Sequence, residues 1–161
     1  MSITGSIPRK TVFEPRITDH RLMKISVRNT QDSLRINAAF IKRMIRYVLK
    51  EEGVTETGEI ALCVSDDRGI RRLNKIYLGK DLPTDVLSFD LSGDEAGLSA
   101  DIIVSAETAR AYSRKFHTEP AHELYLYVIH GVLHLLGYDD RTERQRAKMH
   151  RRELELLKKY C

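Results

Sequence analysis

The sequence lacks the features that mark disulfide-rich, low-complexity and membrane proteins. Its 161 residues include only two cysteines, Cys63 and Cys161, which are too few for a framework of paired disulfides. Nine glycines and four prolines are too few for a collagen-like or low-complexity chain. The longest uninterrupted apolar run, from Leu124 to Ile129, is far below the ~18 residues that a membrane span requires. The first residues lack the apolar stretch of a secretory signal, so we expect a cytoplasmic protein with neither a membrane nor a disulfide partner.

The features that are present favour one folded domain. Apolar residues make up 42% of the chain and charged residues 31%, which is typical of a globular protein. The length matches the usual range of a single domain, about 100–200 residues. Residues 1–21 hold two prolines and little to bury, so we expect a poorly ordered tail there and one domain over residues 22–161.

Positive charge is concentrated near the carboxyl terminus. The net charge is +4 with histidine neutral. Between Arg141 and Lys159 there are eight Lys or Arg residues and only three Glu residues. This excess suits an anionic partner, nucleic acid first, although a solvated helix face is an equally good explanation of this segment taken alone.

Hydrophobic periodicity predicts strands and helices in mixed order. Strand patterns occur at residues 24–29, 59–65, 86–90 and 101–104. Helical patterns occur at residues 34–52, 68–77, 105–117, 118–136 and 142–160, the last three beginning at the caps Ser105, Thr118 and Thr142. This order predicts an α+β fold with a small mixed four-stranded sheet and about five helices packed on it. The helix that ends before Gly137 is apolar nearly all round, so we expect it to be the buried central helix.

That central helix carries a candidate metal site. His130 and His134 are four residues apart, so their side chains share one helix face and could bind one ion, although two histidines satisfied by nearby carboxylates are the alternative. Gly137 can end the helix in a left-handed conformation, which lets Asp140 return to the histidines. The pattern HxxxHxxGxxD has the spacing of the metzincin metal site, with a carboxylate in third place. The predicted ligands of one divalent ion are therefore His130, His134 and Asp140. Zinc is favoured by the imidazoles, while the carboxylate also suits manganese.

Three segments resemble the YbeY family of bacterial endoribonucleases. They are HGVLHLLGYDD at residues 130–140, LNKIYLGKDLPTDVLSF at residues 73–89 and the strand DIIVS at residues 101–105, and the likeness extends over roughly residues 22–160. The resemblance implies a mixed sheet with the histidine helix behind it. It also implies a metal-dependent hydrolase that cuts phosphodiesters of single-stranded RNA. The implied substrate is 16S ribosomal RNA during its maturation and quality control, with the ribosome or its small subunit as partner.

Two residues depart from the family pattern. Asp140 stands where the family has histidine, and Leu78 stands where the family usually has arginine. Aspartate is an accepted zinc ligand, but its negative charge should make the bound water a weaker acid. Leu78 cannot stabilise charge that develops on a phosphate, so Arg72, Lys75 and Lys80 are candidates to replace that arginine.

The sequence leaves the general base open. Gly131 follows His130 where HExxH proteases have a glutamate, which counts against a metalloprotease without excluding one. Asp85 and Asp139 are candidates for a base or for a carboxylate that orients a metal ligand, since such ligands usually donate their second N–H to an oxygen acceptor. Either aspartate could equally cap a turn.

RNA contact requires cations and, for single strands, stacking surfaces. One candidate is a stripe on the last predicted helix formed by Arg144, Lys148 and Arg152. A second basic group lies on the first predicted helix at Lys42, Arg43, Arg46 and Lys50. Tyr77 and Tyr138 could stack on bases, although packing is the commoner role of such rings. A ribosome-assembly factor with weak catalysis remains an alternative function, motivated by Leu78 and Asp140.

Overall fold

One mixed sheet organises the chain in the computed structural model, which describes residues 23–55, 57–93 and 97–161. Its strands are Met23–Asn29 (β1), Gly58–Ser65 (β2), Val86–Asp90 (β3) and Leu98–Ser105 (β4). The helices are Ala38–Glu51 (α1), Asp67–Leu78 (α2), Ala106–Phe116 (α3), Pro120–Leu135 (α4) and Glu143–Tyr160 (α5). The predicted α+β class, with a four-stranded mixed sheet and five helices, is confirmed for this part of the chain. The tail predicted for residues 1–21 lies outside it.

The strands are arranged in the order β1-β2-β4-β3. β1, β2 and β4 are parallel, and β3 pairs antiparallel with β4 at one edge. β4 extends beyond its predicted range because its whole length pairs with β2, from Gly58 opposite Leu98 to Ser65 opposite Ser105. Pairing with β2 therefore makes β4 longer than the local sequence pattern predicted.

The two faces of the sheet are covered differently. On the first face, α1 and α4 contact a core that includes Ile60, Leu62 and Ile102. On the second face, α2 packs through Ile70 over Leu87, Phe89 and Ile103. Successive residues of a strand point to opposite faces, so one strand supplies both cores.

α4 is the central helix that the sequence predicts. It contacts the sheet and also the three helices α1, α3 and α5, and most of its residues are buried. Ser88 Oγ donates to the carbonyl of Gly131 at 3.1 Å, and a Cβ on that glycine would lie 2.8 Å from Ile102 Cγ2. Glycine at this position therefore lets α4 approach the sheet closely. Among the described residues, no helix is long and apolar enough to span a membrane.

Helix ends follow local capping in two cases and depart from the prediction in a third. Asn37 accepts from the N–H of Phe40, so α1 begins at Ala38, later than the apolar pattern indicated. The predicted capping box of α5, between Thr142 and Gln145, is confirmed. The predicted Thr118 cap of α4 is wrong: Glu119 is the cap residue, and the Thr118 hydroxyl donates to the Glu123 carboxylate at 2.5 Å instead.

Candidate metal centre

The last turns of α4 and the bend after them bring three potential ligands together. His130 Nε2 and His134 Nε2 lie 3.0 Å apart. Asp140 Oδ2 is 3.8 Å from the first of these nitrogens and 3.6 Å from the second. Two ligands of a tetrahedral zinc ion, each bound at about 2.0–2.1 Å, lie about 3.3 Å apart. Small shifts of these side chains would therefore let one ion contact all three.

The bend depends on Gly137, whose φ is +92°. This is the left-handed region that glycine adopts without steric cost, and the sequence predicts it here. The N–H groups of Gly137 and Tyr138 donate to His134 O and Leu133 O, so the chain reverses immediately after the helix. The reversal returns Asp140 to the face that carries both histidines.

The outer nitrogen of each imidazole is held by an oxygen acceptor. His134 Nδ1 donates to the carbonyl of Tyr138 at 2.9 Å, and His130 Nδ1 makes a short hydrogen bond to the buried carboxylate of Glu153. A carbonyl can only accept, and an ionised carboxylate likewise, so the hydrogens of the two neutral rings reside on Nδ1. Both Nε2 lone pairs then face each other. Such an arrangement repels unless a proton or a cation lies between them, so the donor set fits a metal ion.

Glu153, which contacts one of the candidate ligands, was not predicted from the sequence. It lies on the buried side of α5 together with Met149, Leu156 and Leu157. A carboxylate at an apolar position of an amphipathic helix is the signal that could have identified it, because a buried charge requires a partner. The partner is His130, which lies on a different helix, so sequence spacing alone could not pair them.

Burial favours the neutral form of His134. The pKa of His134 is lowered, first by burial and then by the neighbouring His130. A lowered pKa keeps the imidazole neutral near pH 7, and the neutral ring is the form that binds metals. The electrostatics and the hydrogen bonds therefore favour the same protonation state.

Asp139 supports the bend and does not belong to the ligand group. Its carboxylate accepts from the N–H of Asp140 at 2.8 Å and from Arg141 Nε at 2.6 Å. The hydrogen bond from Arg141 lowers the pKa of Asp139. Among the described residues, Asp140 is the only acidic residue or cysteine that lies close enough to share an ion with both histidines.

Asp85 directly precedes β3, and its carbonyl accepts from the N–H of Ser105 at the end of β4. Its carboxylate accepts from the Thr84 hydroxyl at 3.0 Å and from its neighbour's backbone N–H at 2.8 Å. α4 passes this end of the strand at Tyr127, whose pKa is raised mainly by burial and secondarily by Asp85. A Cβ on Gly131 would lie 3.0 Å from Ser88 Oγ and 3.1 Å from Val86 Cγ2, so α4 passes this strand next to His130. Among the described residues, the group that could hold an ion consists of His130, His134 and Asp140, and Asp85 is not part of it.

The predicted stripe on α5 is partly committed to other contacts. Arg152 Nε donates to Glu52 Oε1 at 2.7 Å, and the same glutamate accepts from the Tyr138 hydroxyl at 2.9 Å. Lys148 Nζ lies 5.5 Å from the centre of the Tyr138 ring. Arg144 is exposed and has no partner in the described part of the chain. Through Glu52, Arg152 and Tyr138 thus connect α5 and the bend after α4 to the end of α1.

The candidates to replace the family arginine lie on α2 and in the loop after it. Arg72 is exposed, and Lys75 Nζ pairs with Asp81 at 2.8 Å. Lys80 is half-buried in the loop that follows the helix. Leu78 ends α2 and packs with the hydrophobic cluster on the second face of the sheet. Tyr77 packs against Phe89 with ring centres 5.3 Å apart, which is the packing role and not a free stacking surface.

Comparisons with known proteins agree with this architecture. A family model described as Endoribonuclease YbeY matches residues 25–161. Endoribonuclease YbeY of Pelotomaculum thermopropionicum is 36% identical over 145 residues, covering 84% of this chain and 95% of the relative. The protein of the same name from Bacillus licheniformis is 35% identical over 133 residues, covering 76% and 84% respectively. The solution structure of a Thermotoga maritima protein matches with a TM-score of 0.60 and 25% identity over 84% of this chain and 88% of that one. The chain therefore belongs to the YbeY family of endoribonucleases.

Proposed function

We propose that the protein is a metal-dependent, single-strand-specific endoribonuclease that matures 16S ribosomal RNA and acts in ribosome quality control. The proposed setting is the bacterial cytoplasm, with ribosomal RNA and the small ribosomal subunit as partners. The observation that carries the proposal is the convergence of two imidazole Nε2 atoms and one carboxylate oxygen after α4. Three protein ligands leave a fourth position for water, which is the arrangement of catalytic zinc sites.

The proposed ligands are His130, His134 and Asp140, and zinc is the favoured ion. When bound, the ion would polarise a phosphoryl oxygen and lower the pKa of a water molecule that attacks phosphorus. Glu153 and the carbonyl of Tyr138 fix the two rings so that both Nε2 atoms point to one place. Because both Nδ1 atoms are engaged by these acceptors, the Nε2 atoms are the ones directed to the ion.

Of the two aspartates proposed for a base or an orienting role, Asp139 is better placed. Its carboxylate holds the N–H of the ligand Asp140, so we assign it the positioning of that ligand. Its lowered pKa makes it a poor proton acceptor near neutral pH. Asp85 accepts from the N–H of Val86 at the start of β3 and lies outside the group of residues that could share an ion, so we do not propose it as a ligand.

For RNA contact we propose two groups of cations. The first is the exposed pair Arg144 and Lys148 on α5, and the second is Arg72, Lys75 and Lys80 near Leu78. The first pair lies on the helix that begins directly after the ligand Asp140. Arg152 was a candidate of the same kind, but its pairing with Glu52 favours a role in holding α5 against α1.

Metal analysis and RNA cleavage test the proposal together. Purified wild-type protein, His134→Ala and His122→Ala are compared for bound zinc and for cleavage of single-stranded RNA, with and without a chelator. His122 is an exposed histidine on the same helix and serves as the matched control. We expect His134→Ala and chelation to abolish both signals, whereas His122→Ala retains them. Cleavage that persists after the ion is removed would contradict the proposal.

A ribosome-assembly factor with weak catalysis is the second candidate. Leu78 favours it, because a packed leucine offers no charge to a phosphate where the family usually has arginine. Binding of zinc and of the small subunit without cleavage would support this candidate. Leu78→Arg should then raise cleavage if the missing cation limits the rate. A metalloprotease is disfavoured, because Gly131 packs against the sheet where a catalytic glutamate would be required.

A further inference from the structure

A groove on the second face of the sheet carries a strong excess of positive charge. It has a volume of about 740 Å³ and lies between α2 and the strands β1 and β2. Five cations line it: Arg28, Arg68, Arg71, Arg72 and Lys75. Asp66 and Asp81 are the acidic residues of its lining, and Cys63 and Ile103 contribute to its floor. We call this feature the α2 groove.

The groove lies beside two neighbouring parallel strands whose following helices pack on opposite faces of the sheet. The chain leaves β1 for α1 on the first face, and it leaves β2 for α2 on the second face. The carboxyl ends of β1 and β2 therefore border a crevice, with Thr30 following one strand and Ser65 ending the other. In open sheets with parallel strands, ligands bind in crevices of this kind.

The two acidic residues of the lining are already engaged by the protein. Asp66 caps α2 by accepting from the N–H of Gly69 at 2.7 Å. Asp81 accepts from Arg71 at 2.9 Å and from Lys75 at 2.8 Å. The charge that these two carboxylates do not offset therefore includes that of Arg68 and Arg72.

Arg68 and Arg72 are the most available of these cations. Both are exposed, and neither has a partner among the residues that the structure describes. They are four residues apart on α2, so they form one row with an axial separation of about 6 Å. Guanidinium groups match phosphate oxygens with paired hydrogen bonds, which a compact ammonium cannot do. A row of exposed arginines over a partly polar floor suits a phosphate backbone.

α2 also leads from the groove to β3, the edge strand that α4 contacts on the first face. Its amino end is at the carboxyl end of β2, and its last turn packs through Tyr77 on Phe89, next to Asp90. α4 contacts the same edge strand from the first face. A strand of RNA that passes around this edge of the sheet can therefore contact both faces.

We propose that the α2 groove binds the phosphate backbone of single-stranded RNA outside the cleaved segment. This inference rests on the proposed function, because it assigns a second contact surface to the same substrate. Among the residues that the structure describes, the lining of the groove contains no aromatic side chain, so the proposed contact is to the backbone and is independent of sequence. The groove increases affinity for longer RNA and orients it, while the metal centre performs the cleavage.

The test compares two variants of equal net charge. Arg68→Gln/Arg72→Gln removes the exposed row, and Arg114→Gln/Lys158→Gln removes two exposed cations of α3 and α5. Metal-loaded proteins are titrated with a fluorescent 2′-O-methyl oligouridylate at several salt concentrations, and the integrity of the RNA is checked by gel. We expect the groove variant to bind roughly tenfold more weakly. The slope of log K against log salt should become shallower by about 1.4, since each phosphate contact contributes about 0.7.

The outcomes separate the groove from the nuclease. Equal affinity and equal salt slope in the two variants would overturn the groove assignment, even if the wild type cleaves RNA. Loss of binding in the groove variant alone would support it, even if the wild type does not cleave. An oligoglutamate of equal charge that binds the groove more tightly than the RNA would identify an acidic protein segment as the occupant, and the assignment to RNA would then be wrong. Thermal unfolding of both variants checks that they are folded.

Discussion

At the scale of single residues, the proposed metal centre depends on a carboxylate outside the proposed ligand group. Glu153 is buried and holds His130 through Nδ1, so it fixes the direction of the Nε2 lone pair. A carboxylate behind an imidazole also increases the basicity of the ring. The position of the ring is thus determined by α5, although the ligand belongs to α4.

Replacement of Glu153 should therefore weaken metal binding without removing a ligand. We expect Glu153→Gln to lower zinc affinity by about 10- to 100-fold. Glu143→Gln is the matched control, because Glu143 is exposed in the first turn of the same helix. Competition with a fluorescent chelator measures both affinities. Equal zinc affinity in the two variants would show that the His130 contact does not tune the site.

The two cysteines differ in exposure, and this difference predicts their reactivity. Cys63 is buried in β2, and burial raises the pKa of its thiol. The thiolate is the reactive form, so a raised pKa and poor access both slow its reaction. Cys161 also has a raised pKa from partial burial, but its side chain is exposed.

Titration of the native protein with Ellman's reagent should then reveal one fast and one slow thiol. Cys161→Ser should remove the fast phase, and Cys63→Ser should leave it unchanged. Denaturation should make the two thiols equivalent, because both causes of protection are lost. A fast phase that survives in Cys161→Ser would mean that β2 opens readily to solvent.

At the scale of secondary structure, the sequence correctly predicted features that depend on neighbouring residues. Predictions were wrong where contacts with residues further along the chain determine the structure. The alternation around Ile25 and the Thr142 capping box are local, and both predictions hold. Thr118 is a good cap by type, but Glu123 takes its hydroxyl and the helix begins after Glu119. The order of strands in the sheet could not be predicted, because the alternation of apolar residues shows which side of a strand is buried and does not show which strands lie beside it.

Gly131 provides a prediction in which local and tertiary effects have opposite signs. Helix propensity alone predicts that Gly131→Ala stabilises the protein by about 1 kcal/mol. The added Cβ would lie 2.8 Å from Ile102 Cγ2 and 3.0 Å from Ser88 Oγ, so α4 would have to move away from the sheet. Overpacking of this kind costs about 1–3 kcal/mol. We expect urea denaturation to show a net loss of stability, and a net gain would contradict the close approach of α4.

At the scale of the whole molecule, the candidate site combines what sequence spacing predicts with what only packing supplies. His130, His134 and Asp140 follow from spacing and from the turn at Gly137, because all lie within one short segment. Glu153 does not, since it approaches from another helix. The α2 groove depends on the crossing of two connections to opposite faces of the sheet, which no local pattern records.

Because the proposed ligands join α4 to the bend after it, metal binding should be coupled to the stability of the whole domain. An ion that binds only the folded state stabilises it by about 2.7 kcal/mol at a free concentration of 100 Kd. For a domain of this size, each kcal/mol raises the unfolding temperature by about 2–4 °C. We therefore expect zinc to raise Tm by roughly 5–11 °C and a chelator to reverse the shift.

The matched variants show whether this coupling passes through the proposed ligands. His134→Ala and Asp140→Ala should lose most of the shift, because each removes one ligand, whereas His122→Ala on the exposed side of α4 should keep it. Differential scanning calorimetry with and without zinc measures all four proteins. Full retention of the shift in Asp140→Ala would assign the third ligand to another group and would remove the carboxylate from the proposed centre. Because the measurement requires no RNA, it tests the metal centre independently of cleavage.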